Sequence, residues 1–366
     1  MQLSHKHIAI FIPDLRGGGA EKVMFTLANG FAGKGVRVDL VLINKKGDYL
    51  DQISPKVNVV ELSSKRAILS IFALTKYLRS AQPDYLLAAM PHINIISIIA
   101  GKLAGNKSKI LISEHSLVSI AKTQGGFYNF MIFQLQRFIY PFAYKICTVS
   151  KGIAEDLLAH IKVKKEMVEV IYNPVIFPEL EDIAQQPVIH PWLNAKNVPV
   201  ILAVGRLHPI KDHATLIKAF AIVLKTMDAR LIILGEGGER SDLESLANNL
   251  GIRDKIDLHG FVANPYSYMQ KADVFVLSSK MEGLGNVLIE AMACGCAVIS
   301  TDCPSGPSEI LEGGTIAPLV PVGDSDAMAN AIIQILSLPS DKGKLLNRAR
   351  YFTLERAINK YLELIF

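Results

Sequence analysis

Cysteine is scarce in this chain: four thiols in 366 residues, at Cys147, Cys294, Cys296 and Cys303. Three are close in sequence, but no histidine or further cysteine completes a zinc spacing, which argues against a zinc module. Reduced, mostly buried thiols in a reducing compartment are the expectation. Long apolar runs are missing too. The best candidate, residues 93–104, is interrupted by Lys102 and falls short of the ~20 residues that span a bilayer. No signal-peptide layout precedes the first apolar run at 8–12, so a cytoplasmic protein is expected. Charge of one sign is not concentrated: the formal net charge is +5, and a nucleic-acid partner would need a denser basic face. An Asp-x-Asp pair at a strand end is also absent. Asp324-x-Asp326 follows a glycine in a late loop, so no metal site is expected. Finally, Gly17-x-Gly19-x-x-Lys22 lacks the third glycine of a dinucleotide fingerprint, although Asp39 stands about where a ribose-binding acid would. NAD is therefore not the favoured ligand.

What is present is a folded, apolar-leaning chain: half its residues are hydrophobic and a fifth charged. Its length suits two domains. The order of patterns is strand (8–12), glycine loop, amphipathic helix (20–31), strand (36–43), the opening of a doubly wound parallel sheet. Strands at 85–89, 109–113, 146–149 and 168–172 follow, with helices at 69–80, 93–104 and 153–160 between them. Five prolines then fall between Pro174 and Pro199, and this interval reads as a linker. The pattern restarts with strands at 200–204, 230–234, 256–261, 274–277 and 297–300. Helices are expected at 213–224, 243–250, from 286, at 327–336 and at 345–366. The domains expected are 1–178, a linker at 179–199, 200–345, and a closing helix at 346–366.

Chemistry-bearing residues sit at the ends of these strands, where parallel α/β sheets gather ligands. After 274–277 the chain passes Glu282 and Gly285 and opens a helix at Asn286. The first amides of a helix, here Asn286, Val287 and Leu288, are a natural seat for a phosphate. Glu290 lies one helical stretch further on. Two carboxylates flanking an anion site suit a nucleoside diphosphate carrying hydroxyls at both ends. After 200–204 come Gly205, Arg206 and Lys211; two cations around a turn can neutralise a diphosphate, Arg as a planar fork and Lys as a point charge. His115 closes the strand at 109–113 and is placed to act. His5, His7, His160 and His190 read as surface residues.

The stretch EGLGNVLIE at 282–290, followed by AMACGCAVISTDCPSGPSEIL, resembles the Glu-x₇-Glu signature of the retaining glycosyltransferases of family four. Further matches are Gly-Gly-Ala-Glu at 18–21, GRLHPIKD at 205–212 and GEGGER at 235–240, the last with Gly238 where the family has proline. The resemblance covers nearly the whole chain. It implies a GT-B fold of class α/β: two Rossmann-like doubly wound parallel-sheet domains facing across a cleft, with the last helix returning to the first domain. It also implies roles. Arg206 and Lys211 bind the donor phosphates and stabilise the leaving nucleoside diphosphate. Glu282 touches the transferred sugar, Glu290 holds the ribose hydroxyls, and the backbone at Val262 meets the base. Gly18 and Gly19 border the donor sugar, Glu21 faces the acceptor, and His115 contacts the donor sugar.

By family association the donor is a UDP-sugar more readily than a GDP-sugar, no cofactor is needed, and transfer proceeds with retention. The DCPSGPSE loop at 302–309 is similar to that of bacterial enzymes extending polyprenyl-diphosphate-linked glycans, so a lipid-linked or saccharide acceptor is implied. Residues 116–144 are rich in aromatics. Between Glu114 and Glu155, and again between Glu61 and Asp84, there are basic residues (among them Lys65, Lys76, Arg79, Lys122 and Arg137) and no acid. That mixture suits an anionic membrane surface; a core helix with a solvated basic face would read the same way. A retaining glycoside hydrolase, a UDP-sugar epimerase and a non-transferring nucleotide-sugar-binding protein remain as other readings.

Overall fold

The computed structural model describes residues 5–16, 18–47, 49–64, 66–123, 126–338 and 341–366, with the backbone alone for 121–123. Gly17, Lys65 and the side chain of Lys122 lie outside the described residues. The chain divides into two units, Met1–Pro174 with Leu354–Phe366, and Val175–Thr353.

The first unit is built on β1 (His7–Ile12), β2 (Arg37–Leu42), β3 (Val57–Glu61), β4 (Tyr85–Ala89), β5 (Lys109–Glu114), β6 (Lys145–Thr148) and β7 (Val168–Val170). They form one sheet in the order β3-β2-β1-β4-β5-β6-β7, every pairing parallel. Its crossovers run through α1 (Gly19–Gly33), α2 (Ser70–Ala81), α3 (Pro91–Leu103), α4 (Val118–Thr123), α5 (Gly126–Ile139) and α6 (Lys151–His160). A strand covered by helices on both faces must be apolar throughout, and β1 and β4 are buried at every position. In α1, Val23, Met24, Leu27, Ala28 and Phe31 recur at helical spacing and form the buried face.

The second unit opens with α7 (Leu180–Ala184) and α8 (Pro191–Asn194), then β8 (Val200–Val204), α9 (His213–Val223), β9 (Arg230–Leu234), α10 (Arg240–Asn249) and β10 (Ile256–Gly260). It continues through α11 (Pro265–Lys271), β11 (Val274–Leu277), α12 (Asn286–Ala293), β12 (Ala297–Thr301), α13 (Pro307–Ile310), β13 (Leu319–Val320), α14 (Ser325–Ser337) and α15 (Lys342–Ala349). The sheet order is β10-β9-β8-β11-β12-β13, again parallel. In both sheets the order reverses once, between β1 and β4 and between β8 and β11. Loops after those neighbouring strands open the crevice where such sheets bind ligands.

Four segments differ from the sequence reading. The proline-rich interval is packed into the second unit: Leu180, Ala184, Val188 and Leu193 are buried, and Asn264 Nδ2 donates to the Ile183 carbonyl at 2.9 Å. Pro178 stands in the turn before α7 and Pro191 opens α8. The strand β3 and the helix α11 were not read. β3 is an edge strand only partly buried, so its apolar signal is weak. α11 has a start signal in sequence, Asn264 capping Ser267 N with Pro265 at its first position. The closing helix is broken. α15 gives way to a 3₁₀ turn at Arg350–Phe352, whose Phe352 carbonyl accepts from the amides of Val175 and Ile176 at 3.0 Å each. The chain then forms α16 (Leu354–Ile365), which buries Ala357, Ile358, Tyr361 and Ile365 in the core of the first unit.

Candidate active site

In the second unit, β8 and β11 are neighbours, so the loops that follow them rise side by side. The first carries Gly205, Arg206 and Lys211; the second carries Glu282 and Gly285. Their side chains meet: Lys211 Nζ lies 2.6 Å from Glu282 Oε1, and Ser279 Oγ donates to the same oxygen at 2.6 Å. The two side chains are only 20 % and 11 % exposed, so this is a partly buried pair with limited water to screen it. Arg206, on the same loop as Lys211, is exposed and makes no ion pair among the described residues. The first loop is fixed from behind, where Leu207 N donates to the Glu236 carbonyl at 2.9 Å.

Gly285 caps the start of α12 with φ +94°, a left-handed conformation that costs an L side chain about 1–2 kcal/mol. Gly306 is needed for another reason: a Cβ there would lie 1.8 Å from the Leu284 carbonyl oxygen. With Ser305 Oγ donating to the Gly283 carbonyl at 2.7 Å, the 302–309 loop props the turn that opens α12. The Leu288 amide, expected to face a phosphate, donates to the Gly285 carbonyl at 2.9 Å. The positive end of the helix therefore lies at Asn286 and Val287. Glu290 is 6 % exposed, and Tyr266 Oη donates to its Oε1 at 3.2 Å. The sequence did not single out Tyr266 and Ser279: Tyr266 reaches Glu290 from α11, and Ser279 acts as a partner of Glu282 from the loop after β11. Val262 follows β10, at the far edge of the same sheet.

In the first unit, Gly18 and Gly19 begin α1 after β1, and the Glu21 carboxylate lies against the Gly18 α-carbon. His115 follows β5, with β4 between β1 and β5. Its imidazole is half-buried and lies 3.0 Å from Ser113 Oγ. Burial holds its pKa down to about 4, so the ring is neutral at pH 7. The turn after β4 adds a residue the sequence did not single out. Met90 has φ +79°, rare for a non-glycine residue and typical of strained functional turns. It delivers His92, whose imidazole is likewise kept neutral by burial, at the crevice end of β4.

Two sequence readings are corrected, those of His7 and His190, and Asp39 finds its partners. Asp39 is 2 % exposed and cannot meet a ribose: Tyr77 Oη and Asn58 Nδ2 donate to it at 2.5 and 3.0 Å. His7 Nε2 lies 3.0 Å away, close enough for ionic attraction. His7 and His190 are not surface residues but 6 % and 2 % exposed. His190, Asp257 and His259 form the group with ligand-like spacing found among the described residues. Its hydrogen bonds are complete without an ion. His190 Nδ1 accepts from Trp192 N at 3.2 Å, so Nε2 carries the proton and donates to Asp257 Oδ2 at 3.0 Å. His259 lies between Asp257 and Tyr268 in the same way. A metal-bound imidazole normally donates from its second nitrogen, and His190 accepts there. The four thiols are all pushed up to about 12 by burial, which leaves them unreactive.

The aromatic stretch splits by face. Phe133 and Tyr140 are buried, whereas Phe127, Tyr128, Phe130, Phe138 and Phe142 are exposed, Phe127 at 80 %. Phe72 on α2 is 72 % exposed and lines a shallow groove with Lys76 and Arg79. α2 packs on α3 and α3 on α5, so these side chains belong to adjoining helices. Lys102 at the end of α3 sits over the Phe142 ring.

Comparison with known proteins follows the same division. A family model described as Glycosyltransferase Family 4 matches residues 17–176, and one described as Glycosyl transferases group 1 matches residues 186–352. The chain is 34 % identical, over 97 % of its length and 99 % of the relative's, to N-acetylgalactosamine-N,N'-diacetylbacillosaminyl-diphospho-undecaprenol 4-alpha-N-acetylgalactosaminyltransferase of Campylobacter jejuni. It is 27 % identical, over 98 % of both chains, to a second alpha-1,4-N-acetyl-D-galactosaminyltransferase of that organism, named for a diNAcBac-PP-undecaprenol-linked substrate. Among solved structures it resembles a glycosyltransferase from Rickettsia africae (TM-score 0.78, 20 % identity, 98 % of this chain and 97 % of that one). Anabaena HepE in complex with UDP and glucose is similar as well (TM-score 0.76, 20 % identity, 99 % of both). These two likenesses speak for the GT-B fold alone.

Proposed function

The chain belongs to glycosyltransferase family 4, and on that footing we propose a retaining, metal-independent transferase. It moves an N-acetylhexosamine or hexose from a UDP-sugar to a polyprenyl-diphosphate-linked or saccharide acceptor during surface glycan assembly. One observation carries the reading: Lys211 and Glu282 pair beside the glycine-opened start of α12, at the switch point of the second sheet, on loops of which one also carries Arg206. Names of the Campylobacter relatives support the lipid-linked acceptor and the amino sugar.

The residues divide the work as follows. Lys211 is paired with Glu282. A diphosphate at the start of α12 offers Lys211 a second anion and leaves Glu282 to accept from a sugar hydroxyl. As the glycosidic bond to the diphosphate breaks, negative charge grows on the leaving oxygens. Arg206, Lys211 and the helix end are fixed donors that match this charge better than the ground state, which lowers the barrier. Glu290, held by Tyr266, takes the ribose hydroxyls, and the Val262 backbone takes the base. His115 is neutral, so it serves the sugar as a hydrogen-bond partner, not as a cationic acid. Gly18, Gly19 and Glu21 serve sugar and acceptor. Metal independence is supported by the fate of the Asp-x-Asp pair: Asp324 is spent capping α14 at Ala327 N, 2.9 Å away.

Membrane contact belongs to the same reading. From residue 62 to 154 there are eleven Lys and Arg but two acids, Asp84 and Glu114, and Glu114 is fully buried. Exposed aromatics within that basic stretch suit the anionic inner face of the cytoplasmic membrane. Among the described residues no helix is long and apolar enough to cross it.

A donor screen tests the proposal: each nucleotide sugar is incubated with enzyme and a lipid-linked acceptor, and UDP or GDP release is followed with and without excess EDTA. UDP release that persists in EDTA is the expected result. Loss of release in EDTA removes metal independence. Epimerised donor in the absence of acceptor, or sugar release from a substrate without nucleotide, replaces the transferase with an epimerase or a hydrolase.

A further inference from the structure

At the end of β5, beside His115, lies a carboxyl group that no part of the mechanism above uses. Glu114 is 0 % exposed, as are Asn94 on α3, Gln136 on α5, Tyr140 in the turn that follows and Thr148 on β6. Tyr140 Oη donates to Glu114 Oε1, and Asn94 Nδ2 donates to the same oxygen at 2.9 Å and to the Ser113 carbonyl at 3.0 Å. Gln136 Nε2 donates to Tyr140 Oη at 3.0 Å. Tyr140 and Asn94 thus both fall on Oε1. Among the described residues Glu114 Oε2 has no partner, and neither have the amide oxygens of Asn94 and Gln136 or Thr148 Oγ1.

A carboxylate here would be a full charge in the interior with one oxygen bare, an arrangement that costs far more than a neutral acid. Among the described residues no cation pairs with it. α3 brings Asn94 and Ser97 to this region, α5 brings Gln136, and β6 brings Thr148, all uncharged. Of the basic residues on these elements and on β5, Lys102, Lys109 and Arg137 are exposed, and Lys145 Nζ donates to the Glu166 carbonyl at 2.6 Å. The titratable neighbours supply no charge either: Tyr140 is raised well above its ordinary value, and His92 and His115 are lowered, all by burial. A proton on Oε2 turns the bare acceptor into a donor, and the cluster holds unspent amide oxygens to receive it.

We propose that Glu114 works as a neutral carboxylic acid and is the positioning residue that fastens the start of α3 and the underside of α5 to the end of β5. Through Asn94 it sets the turn that delivers His92, and through its own backbone it sets His115. Through Gln136 and Tyr140 it reaches the helix whose other face exposes Phe127, Tyr128 and Phe138. Burial raises this carboxyl to about 7 against the pull of its hydrogen bonds from Tyr140, Asn94 and Gln136. The joint thus loosens as pH rises through about 7.

Two measurements judge the inference by themselves, and a third rests on the transferase reading. Infrared difference spectra of wild type against E114Q at pH 6 should show the carbonyl stretch of a buried protonated carboxyl group. Absence of that band means an ionised Glu114 and overturns the proposal. Because the folded pKa is raised, stability from this group is complete below the ordinary value of 4.5 and is lost as pH rises through about 7. The denaturation midpoint of wild type should therefore fall over that range relative to E114Q; parallel curves overturn the proposal. In the activity arm, wild-type UDP release should decline as pH rises past about 7, and E114Q should lack that limb. Identical profiles reduce Glu114 to a packing residue and overturn the positioning role. If no donor is turned over at any pH, the transferase reading fails while the first two measurements still decide the protonation state.

Discussion

Glu290 and Tyr266 show what a buried carboxyl group needs at the scale of single residues. At 6 % exposure the Glu290 side chain must keep hydrogen bonds, and Tyr266 supplies one at 3.2 Å. E290A should raise the donor KM about 10- to 100-fold, since hydrogen bonds to a charged group are worth ~1.5–3 kcal/mol. Y266F should raise it about fivefold, the cost of one bond of ~1 kcal/mol. Steady-state kinetics with a fixed acceptor measures both, and an unchanged KM in E290A refutes the ribose role. Asp39 gives the other residue-scale expectation. Burial pushes its carboxyl up, but His7, Tyr77 and Asn58 outweigh that and hold it at about 2, below the ordinary 3.8. Its stabilisation is therefore present above pH 3.8 and lost as pH falls through about 2. The difference between these values is worth about 2 kcal/mol at 1.36 kcal/mol per unit. Urea melts of wild type and D39N should differ by about that amount at pH 7 and converge between pH 4 and 2.

At the scale of elements, the start of α12 is the feature most sensitive to a small change. The turn needs φ +94° at Gly285. A Cβ there would touch Leu277 and Ile310 at 3.6 and 3.7 Å, which is ordinary contact, so the cost is one of backbone conformation. G285A should lower stability by about 1–2 kcal/mol and raise the donor KM several-fold, because the amides of Asn286 and Val287 turn away. Thermal melting together with donor titration checks this. Full stability with normal KM would show that the helix start tolerates another geometry. Elements also explain what the sequence hid. β3 has little buried surface to signal it, and α11 was announced only by Asn264-Pro265, a cue easily passed over between two strands.

For the whole molecule, the basic and aromatic surface of the first unit predicts an association that no single residue would. Each Lys or Arg near an anionic leaflet contributes on the order of 1 kcal/mol, and the interaction is screened over about 10 Å at 0.1 M salt. The purified protein should co-sediment with anionic liposomes at low salt and be released at high salt. K76E/R79E, two changes in the exposed groove on α2, should weaken the association at least tenfold. Failure of the wild type to bind in low salt removes membrane contact from the proposed function.

The order of apolar runs and glycine loops was enough to determine a doubly wound α/β architecture, and the spacing of Glu282 and Glu290 around a helix start was enough to single out a candidate anion site. Both are local: they depend on which residues follow one another, and the periodicity of a chain is written in its sequence. What tertiary structure alone decided concerns residues far apart in the chain. Lys211 meets Glu282 because β8 and β11 are adjacent, not because of anything near either residue. Asp39, which stands where a ribose-binding acid would, is consumed by Tyr77 and Asn58, and Glu114 has no cation paired with it among the described residues. Whether a charged group binds a ligand, pairs internally or gives up its charge depends on its partners and on the water it keeps. Packing fixes both.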